Sequence, residues 1–363
     1  MIPGARNASK FKRKANKRTR IEKHKEVMLK RIILVGLLLA LFVPLCTLGQ
    51  STLETVLQRG ILILGGNASL PGFGALDAST GEFSGFDIDY GKAIAAALGV
   101  EIEVVPLTAG ERFTALQTSQ VDVLIRNTTW TLTRDTELGT NFVATTFYDG
   151  QGFLVRKDSG INSIQDMDGA TVCVTSGTTT EGNLADAFAL NGLTLNVQVF
   201  AETPSSFGAY NDGACDCYTS DKSQLASLRT TADVPADHKI LPDTISKEPL
   251  GPVVRHGDDE WFDIVKWVVF ATFAAEEFGI TQANAATFTS ESPAVLRFLG
   301  VTAGMGANLG LEEDWALNVI LAVGNYGEIY ERHLGPNGLD IPRAGSLNAL
   351  WTQGGLIYPP AWR

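Results

Sequence analysis

The chain is poor in the residues that hold metals: only 4 histidines and 4 cysteines occur in 363 residues. His256, in Arg255-His256-Gly257-Asp258-Asp259, has no second histidine at ligand spacing, and the cysteines do not follow a zinc-site pattern. No metal and no cofactor is expected. Positive charge is scarce over most of the length as well. Residues 1–49 hold 12 of the 29 Lys and Arg but only Glu22 and Glu26 of the 40 acids, so the remainder carries 17 basic and 38 acidic residues, a net charge of −21. Nucleic-acid affinity comes from Lys and Arg neutralising phosphates, and a body this acidic repels them, which excludes nucleic acid as a partner. Internal repeats and low-complexity tracts are absent. With 45% hydrophobic and 19% charged residues, the chain can bury a sizeable core and divide into two lobes or domains.

The N-terminus is the exception in charge. Its basic stretch ends at Lys30 and Arg31, and the apolar run over residues 32–45 has about the length of a signal-peptide h-region and is short for a membrane span. Thr47 and Gly49 suit a cleavage site before Gln50, which would start the mature chain near Ser51 in the periplasm or another extracytoplasmic space. An uncleaved anchor is the competing reading if the run extends through Leu48, and either way the body lies outside. Translation from Met28 would give a more compact start, Met28-Leu29-Lys30-Arg31. Cys46 stands where a lipid-modified cysteine would stand, but Val43-Pro44-Leu45 lacks the small residues that normally precede one.

Beyond the leader, apolar runs and amphipathic stretches alternate. A helix over residues 52–59 precedes the strand Ile61-Leu62-Ile63-Leu64. Asp87 is placed to cap the next helix and Asp89 to complement its dipole, and a strand over 101–105, a helix over 111–118 and a strand over 121–125 follow. The pattern restarts with strands over 152–155 and 171–174, a helix over 181–190, and strands over 195–200 and 216–219. A long apolar helix then runs from Asp258-Asp259-Glu260 to about Phe278, and its charged residues Asp263, Lys266, Glu276 and Glu277 argue against a membrane span. Helices over 312–323 and 326–333 precede a Gly- and Pro-containing tail. This order predicts an α/β protein of two lobes, each an open, mostly parallel sheet flanked by helices. Residues 1–49 form the leader, 50–150 the first part of lobe 1, 151–249 lobe 2, 250–335 a return to lobe 1, and 336–363 the tail. The chain crosses between lobes near 148–152 and 248–252.

Open α/β sheets bind ligands at the carboxyl ends of their strands, where loops converge and helix N-termini expose unpaired N–H groups. Arg126-Asn127-Thr128-Thr129-Trp130-Thr131-Leu132-Thr133-Arg134-Asp135 follows one strand there and crowds hydroxyls, an amide and two guanidinium groups into one loop. A planar guanidinium grips a carboxylate bidentately while hydroxyls satisfy its remaining lone pairs. Ser176-Gly177-Thr178-Thr179-Thr180-Glu181 stands between a strand and a helix in the second lobe, as an opposing jaw, and ordinary helix capping accounts for its threonines equally well. Asp221, just past the strand over 216–219, is placed to accept the protons of an ammonium group. Arg126 is expected to face the ligand side chain, which favours glutamate, aspartate or their amides.

These segments, with Gly85-Phe86-Asp87-Ile88-Asp89, Glu111-Arg112-Phe113-Thr114-Ala115-Leu116 and Ser246-Lys247-Glu248-Pro249-Leu250-Gly251-Pro252, resemble the polar amino-acid-binding proteins of ATP-driven (ABC) importers. These are the family 3 extracellular solute-binding proteins, and the branch resembled is the general L-amino-acid-binding one. The resemblance runs from about Thr52 to the C-terminus and implies a two-lobed, type II periplasmic-binding-protein-like fold joined by a two-crossing hinge. It assigns Arg134 to the α-carboxylate, Thr129 and Thr179 to donors beside it, Asp221 to the ammonium, and Asn127 and Thr178 to the cleft lining. Asn67 and Leu70 fall where many relatives carry an acidic and an aromatic selectivity residue. The resemblance also implies a disulfide between Cys173 and Cys215, with Leu64 and Gly91 standing where relatives can have a second pair and Cys217 left as the odd thiol. The expected protein is a monomeric, non-enzymatic receptor that delivers an L-amino acid to ABC permease subunits. An enzyme on the same fold, of the dehydratase kind, and a tethered amino-acid-sensing ectodomain are the alternatives.

Overall fold

The computed structural model describes residues 51–363, together with Arg18, Lys25 and Met28 as isolated helical positions. The apolar run, Cys46 and the expected cleavage site before Gln50 lie outside the described residues. The fold is that of the unit Ser51–Arg363.

Lobe 1 opens with α1 (Thr52–Arg59), where the Ser51 side chain accepts the Glu54 N–H and Gly60 ends the helix in the left-handed region. β1 (Ile61–Gly66) leads through α2 (Phe86–Leu98) to β2 (Glu101–Pro106), and α3 (Arg112–Gln117) leads to β3 (Val123–Leu124). After α4 (Leu132–Thr136) and β4 (Thr140–Phe142), β5 (Phe147–Asp149) carries the chain out of the lobe. Lobe 2 contains β6 (Gln151–Arg156), β7 (Thr171–Thr175), α5 (Thr179–Asn191), β8 (Asn196–Phe200), α6 (Thr203–Asn211), β9 (Cys217–Asp221), α7 (Lys222–Arg229) and β10 (His238–Ile240). The chain returns through β11 (Glu248–Leu250) to β12 (Val253–Arg255), α8 (Asp259–Phe278), α9 (Trp315–Val323) and α10 (Tyr326–His333).

The two sheets repeat one plan. Strand order is β2-β1-β3-β12-β4 in lobe 1 and β8-β7-β9-β6-β10 in lobe 2. In lobe 1, β12 alone runs against its neighbours, and in lobe 2, β6 alone does so. Each of these enters its sheet straight from the other lobe, without the helical crossover that a parallel neighbour needs. The crossings themselves, β5 and β11, pair antiparallel as a two-stranded ribbon with Tyr148 opposite Pro249.

Helix α8 buries Trp261, Ile264, Val265, Val268 and Val269 against lobe 1, packing on α2 and α9. Among the described residues no helix is long and apolar enough to cross a membrane. Cys173 of β7 and Cys215 form a disulfide with Cα atoms 5.7 Å apart. Cys217 is free and buried with Phe153 and Val155, whereas Cys173 and Cys215 pack with Tyr210 and Tyr218.

Three local expectations need correction. Asp87 does not cap α2, because the helix starts at Phe86 behind Gly85, whose φ of +138° only glycine adopts readily. The Asp87 carboxylate instead accepts the Asn127 N–H at 2.6 Å. The strand expected over 121–125 pairs only at Val123–Leu124. The helix expected from 312 begins at Trp315, since Glu313 turns its carboxylate to the N–H groups of Gly304, Gly306 and Ala307.

Candidate functional site

The loop after β3 is fixed at both ends. Arg126 donates through Nε to the Leu107 carbonyl at 2.6 Å, and Asn127 takes a φ of +33° that the Asp87 carboxylate stabilises from below. Burial pushes the Asp87 carboxyl up to about 7, against the Asn127 N–H and the Arg126 charge. Burial also pulls Arg126 down to about 10, with Asp87 opposing and Arg134 adding. Further along, Trp130 N–H donates to the Pro249 carbonyl at 2.8 Å and Gly251 N–H to the Thr128 carbonyl at 3.2 Å, which ties the loop to the returning chain.

Arg134 lies in α4, whose N-cap Thr131 accepts the Arg134 N–H at 3.2 Å. Its Nη1 donates to the Thr129 carbonyl at 2.9 Å, and its guanidinium carbon sits 5.3 Å from the Phe113 ring centre. The side chain is 8% exposed, and burial lowers its pKa against the pull of Glu248 and Asp221. The Thr129 hydroxyl and the remaining Arg134 nitrogens make no hydrogen bond among the described residues, which leaves donors for a ligand.

The opposing jaw is partly engaged with itself. Thr178, the N-cap of α5, turns its hydroxyl to the Thr175 carbonyl at 2.6 Å rather than capping the helix. Thr179 donates its hydroxyl to Glu248 at 2.9 Å, and Asn183 donates to the same carboxylate at 2.7 Å. The first N–H groups of α5 have no partner within the helix and no side-chain cap from Thr178. Asp221 ends β9, is 5% exposed and accepts no hydrogen bond among the described residues. Its carboxyl is raised well above the usual range by burial and by the neighbouring carboxylates of Asp149 and Glu248, while Arg134 and Arg112 oppose.

The sequence did not single out Arg112, Asp149, Gln224 and Glu248 as site residues, yet all four belong here. Arg112, 3% exposed, sits on the same Phe113 ring at 5.3 Å and donates Nη2 to the Gly177 carbonyl of lobe 2 at 3.3 Å. Its Nε has no partner, and burial, with Arg134 and Arg126 adding, lowers its pKa. A buried donor without a partner costs about 1–3 kcal/mol, which a ligand acceptor would recover. Asp149 accepts the N–H groups of Gly150 at 2.8 Å and Ser223 at 3.2 Å, and burial, with Glu248 adding, pushes it up to about 6. Gln224 accepts from Asn127 Nδ2 across the cleft at 3.0 Å. In sequence, Arg112 stood within a helix and Glu248 within a hinge crossing; only the fold brings them beside Arg134.

Asn67 and Arg126 line a cavity of about 170 Å³ with Thr108 on lobe 1 and Glu202 and Thr203 on lobe 2. Asn67 donates to the Asn127 side chain at 3.3 Å. Leu70 does not line this cavity: it is 1% exposed and packs in the main hydrophobic core. The short strand Ser69–Leu70 turns Leu70 to the buried side. Among the described residues no group of three His, Cys, Asp or Glu side chains is arranged around a metal ion.

Two sheets of one plan, two crossings and a charged cleft between strand ends define a two-lobed α/β binding protein. Residues 62–284 match the bacterial extracellular solute-binding proteins, family 3, and the chain belongs to that family. The general L-amino acid-binding periplasmic protein AapJ of Rhizobium johnstonii is 52% identical over 319 residues, 86% of this chain and 93% of its own. The glutamate/glutamine/aspartate/asparagine-binding protein BztA of Rhodobacter capsulatus is 52% identical over 321 residues, 86% of this chain and 94% of its own. A solved periplasmic binding protein from Brucella ovis with glutathione bound superposes with a TM-score of 0.84 at 47% identity, covering 86% of this chain and 99% of that one.

Proposed function

We propose that the protein captures a free L-amino acid with a polar or acidic side chain outside the cytoplasm and hands it to the permease subunits of an ABC importer. The observation that carries this reading is the pairing of Arg134 with Asp221 across one cleft, each buried and each with hydrogen-bonding capacity to spare. A zwitterion satisfies both: its carboxylate takes the guanidinium and the Thr129 hydroxyl, and its ammonium takes Asp221. Asn127, Thr178 and Thr179 bound the same space, while Arg112, Arg126 and Asn67 face the ligand's side chain. Closure of the lobes buries the ligand, and the closed form is what the permease recognises. The protein works as a monomer and releases its ligand unchanged.

The names of AapJ and BztA agree with broad amino-acid binding. Glutathione, bound in the Brucella ovis structure, would suit the clamp proposed here, because its γ-glutamyl end carries a free α-amino and α-carboxylate group, and the 170 Å³ cavity beside Arg126 gives an extended side chain room. Isothermal titration with the common L-amino acids and with glutathione tests the reading. Heat and a thermal shift with glutamate, glutamine, aspartate or asparagine are expected; no response to any of them at millimolar concentration would overturn it.

A further inference from the structure

The family match ends at residue 284, and the chain beyond it reaches back to the ribbon that joins the lobes. Tyr148, the middle residue of β5, pairs with Pro249 on one side. On its other edge, the Tyr148 N–H donates to Asn348 Oδ1 at 2.7 Å and the Tyr148 carbonyl accepts from Asn348 Nδ2 at 3.0 Å. One buried side-chain amide thus stands in for a third strand and satisfies an edge that would otherwise be open. Asn348 is itself anchored in lobe 1. Arg343 donates Nε to the Asn348 carbonyl at 2.9 Å and forks onto Glu276 of α8 at 2.7 and 2.8 Å. The same guanidinium lies 4.8 Å from the Tyr326 ring centre, and the Tyr326 hydroxyl donates to the Thr146 carbonyl at 3.1 Å, just ahead of β5.

We infer that the C-terminal segment is a hinge brace, in which Asn348 is a positioning residue that holds β5 to lobe 1 and confines bending to Gly150 and the residues after it. Tyr148 cannot change its backbone angles without breaking two partly buried hydrogen bonds. The next residue, Asp149, accepts the Ser223 N–H of lobe 2 and faces Asp221, so fixing Tyr148 also fixes a carboxylate at the ligand site. The brace keeps this stretch ordered before ligand arrives, so closure need not order it.

Hydrogen–deuterium exchange on the full mature protein reads the brace without any ligand. In Asn348→Ala, amides of residues 147–150 are expected to exchange about tenfold faster, while β7 and β9 of lobe 2 keep their protection. The amino-acid affinity, a readout that rests on the function proposed above, is expected to weaken by about tenfold at a nearly unchanged melting temperature. Arg343→Lys, which keeps the charge and loses the fork, should give the same pattern more weakly and serves if Asn348→Ala does not fold. Unchanged exchange at 147–150, or faster exchange spread evenly over both lobes, overturns the brace. A wild-type protein that binds no amino acid overturns the proposed function instead, and the exchange experiment still decides the brace.

Discussion

The two jaws of the cleft carry opposite charge. Lobe 1 supplies Arg112, Arg126 and Arg134, all buried; lobe 2 and the ribbon supply Asp221 and Glu248, buried as well, and the half-buried Asp149. Within each set the groups disfavour one another: Arg134 and Arg126 lower Arg112, and Asp149 and Glu248 raise Asp221. Across the cleft they favour one another, since Asp221 and Glu248 support the charge on Arg134. Neither jaw is comfortable alone. A zwitterion lying between them with its carboxylate toward lobe 1 and its ammonium toward lobe 2 reduces the repulsion inside both sets at once, which a ligand lacking either charged group does not.

The largest effect expected from breaking this arrangement is at Arg134. Arg134→Ala should abolish measurable binding of every amino acid, a loss of about 3–5 kcal/mol or at least two orders of magnitude in Kd, because it leaves a buried ligand carboxylate unpaired. Titration calorimetry checks it, and wild-type affinity in this variant would remove Arg134 from the site.

Asp221→Asn probes the other jaw. Affinity is expected to fall by about 10- to 100-fold, the worth of a hydrogen bond to a charged group. Stability should move the other way. A carboxyl whose pKa is raised in the folded state opposes folding once it ionises, so replacing it by a neutral amide should raise the melting temperature of the ligand-free protein at neutral pH. If both affinity and melting temperature fell, the three carboxylates would not be in conflict.

How far this contrast could be read from the sequence depends on distance along the chain. Arg134 and Asp221 could be proposed from the sequence because Asp221 closes a buried strand and Arg134 lies in the loop-and-helix segment that follows another, and strand ends are where ligands sit. The alternation of strands and helices gave the two sheets for the same reason of local periodicity. Asp87 was misplaced because the start of α2 turns on Gly85, whose close approach to the Phe73 backbone no local pattern reveals. Arg112 and Glu248 escaped notice because what makes them site residues is a partner far along the chain, Gly177 of lobe 2 for one and Thr179 for the other. Leu70 was an inference from position alone, and the fold buries it in the main hydrophobic cluster.

A smaller effect follows from protons. In the ligand-free cleft Asp221 is raised well above the usual carboxyl range and Asp149 lies at about 6, whereas a bound ammonium favours their ionised forms. Binding should therefore release protons wherever the pH lies between the bound and free values, and affinity should be full above that interval and decline as pH falls through about 6. Titration in two buffers of different ionisation enthalpy measures the released protons directly. A proton count of zero near pH 6, with affinity flat from about pH 8 to 5, would show that the ammonium does not meet these carboxylates.

The smallest effect tests whether the arginines of lobe 1 divide their work. Arg126 spends Nε on the Leu107 carbonyl and lines the cavity beside Asn67, apart from the Arg134 clamp. Arg126→Ala should leave the affinity for alanine nearly unchanged, because alanine does not extend into that cavity, and should weaken glutamate and aspartate by about tenfold, or about 1.4 kcal/mol. Loss of all amino acids alike would mean that Arg126 shares the carboxylate with Arg134. An unchanged ranking would leave Arg112, with its unpartnered Nε, as the guanidinium that meets an acidic side chain.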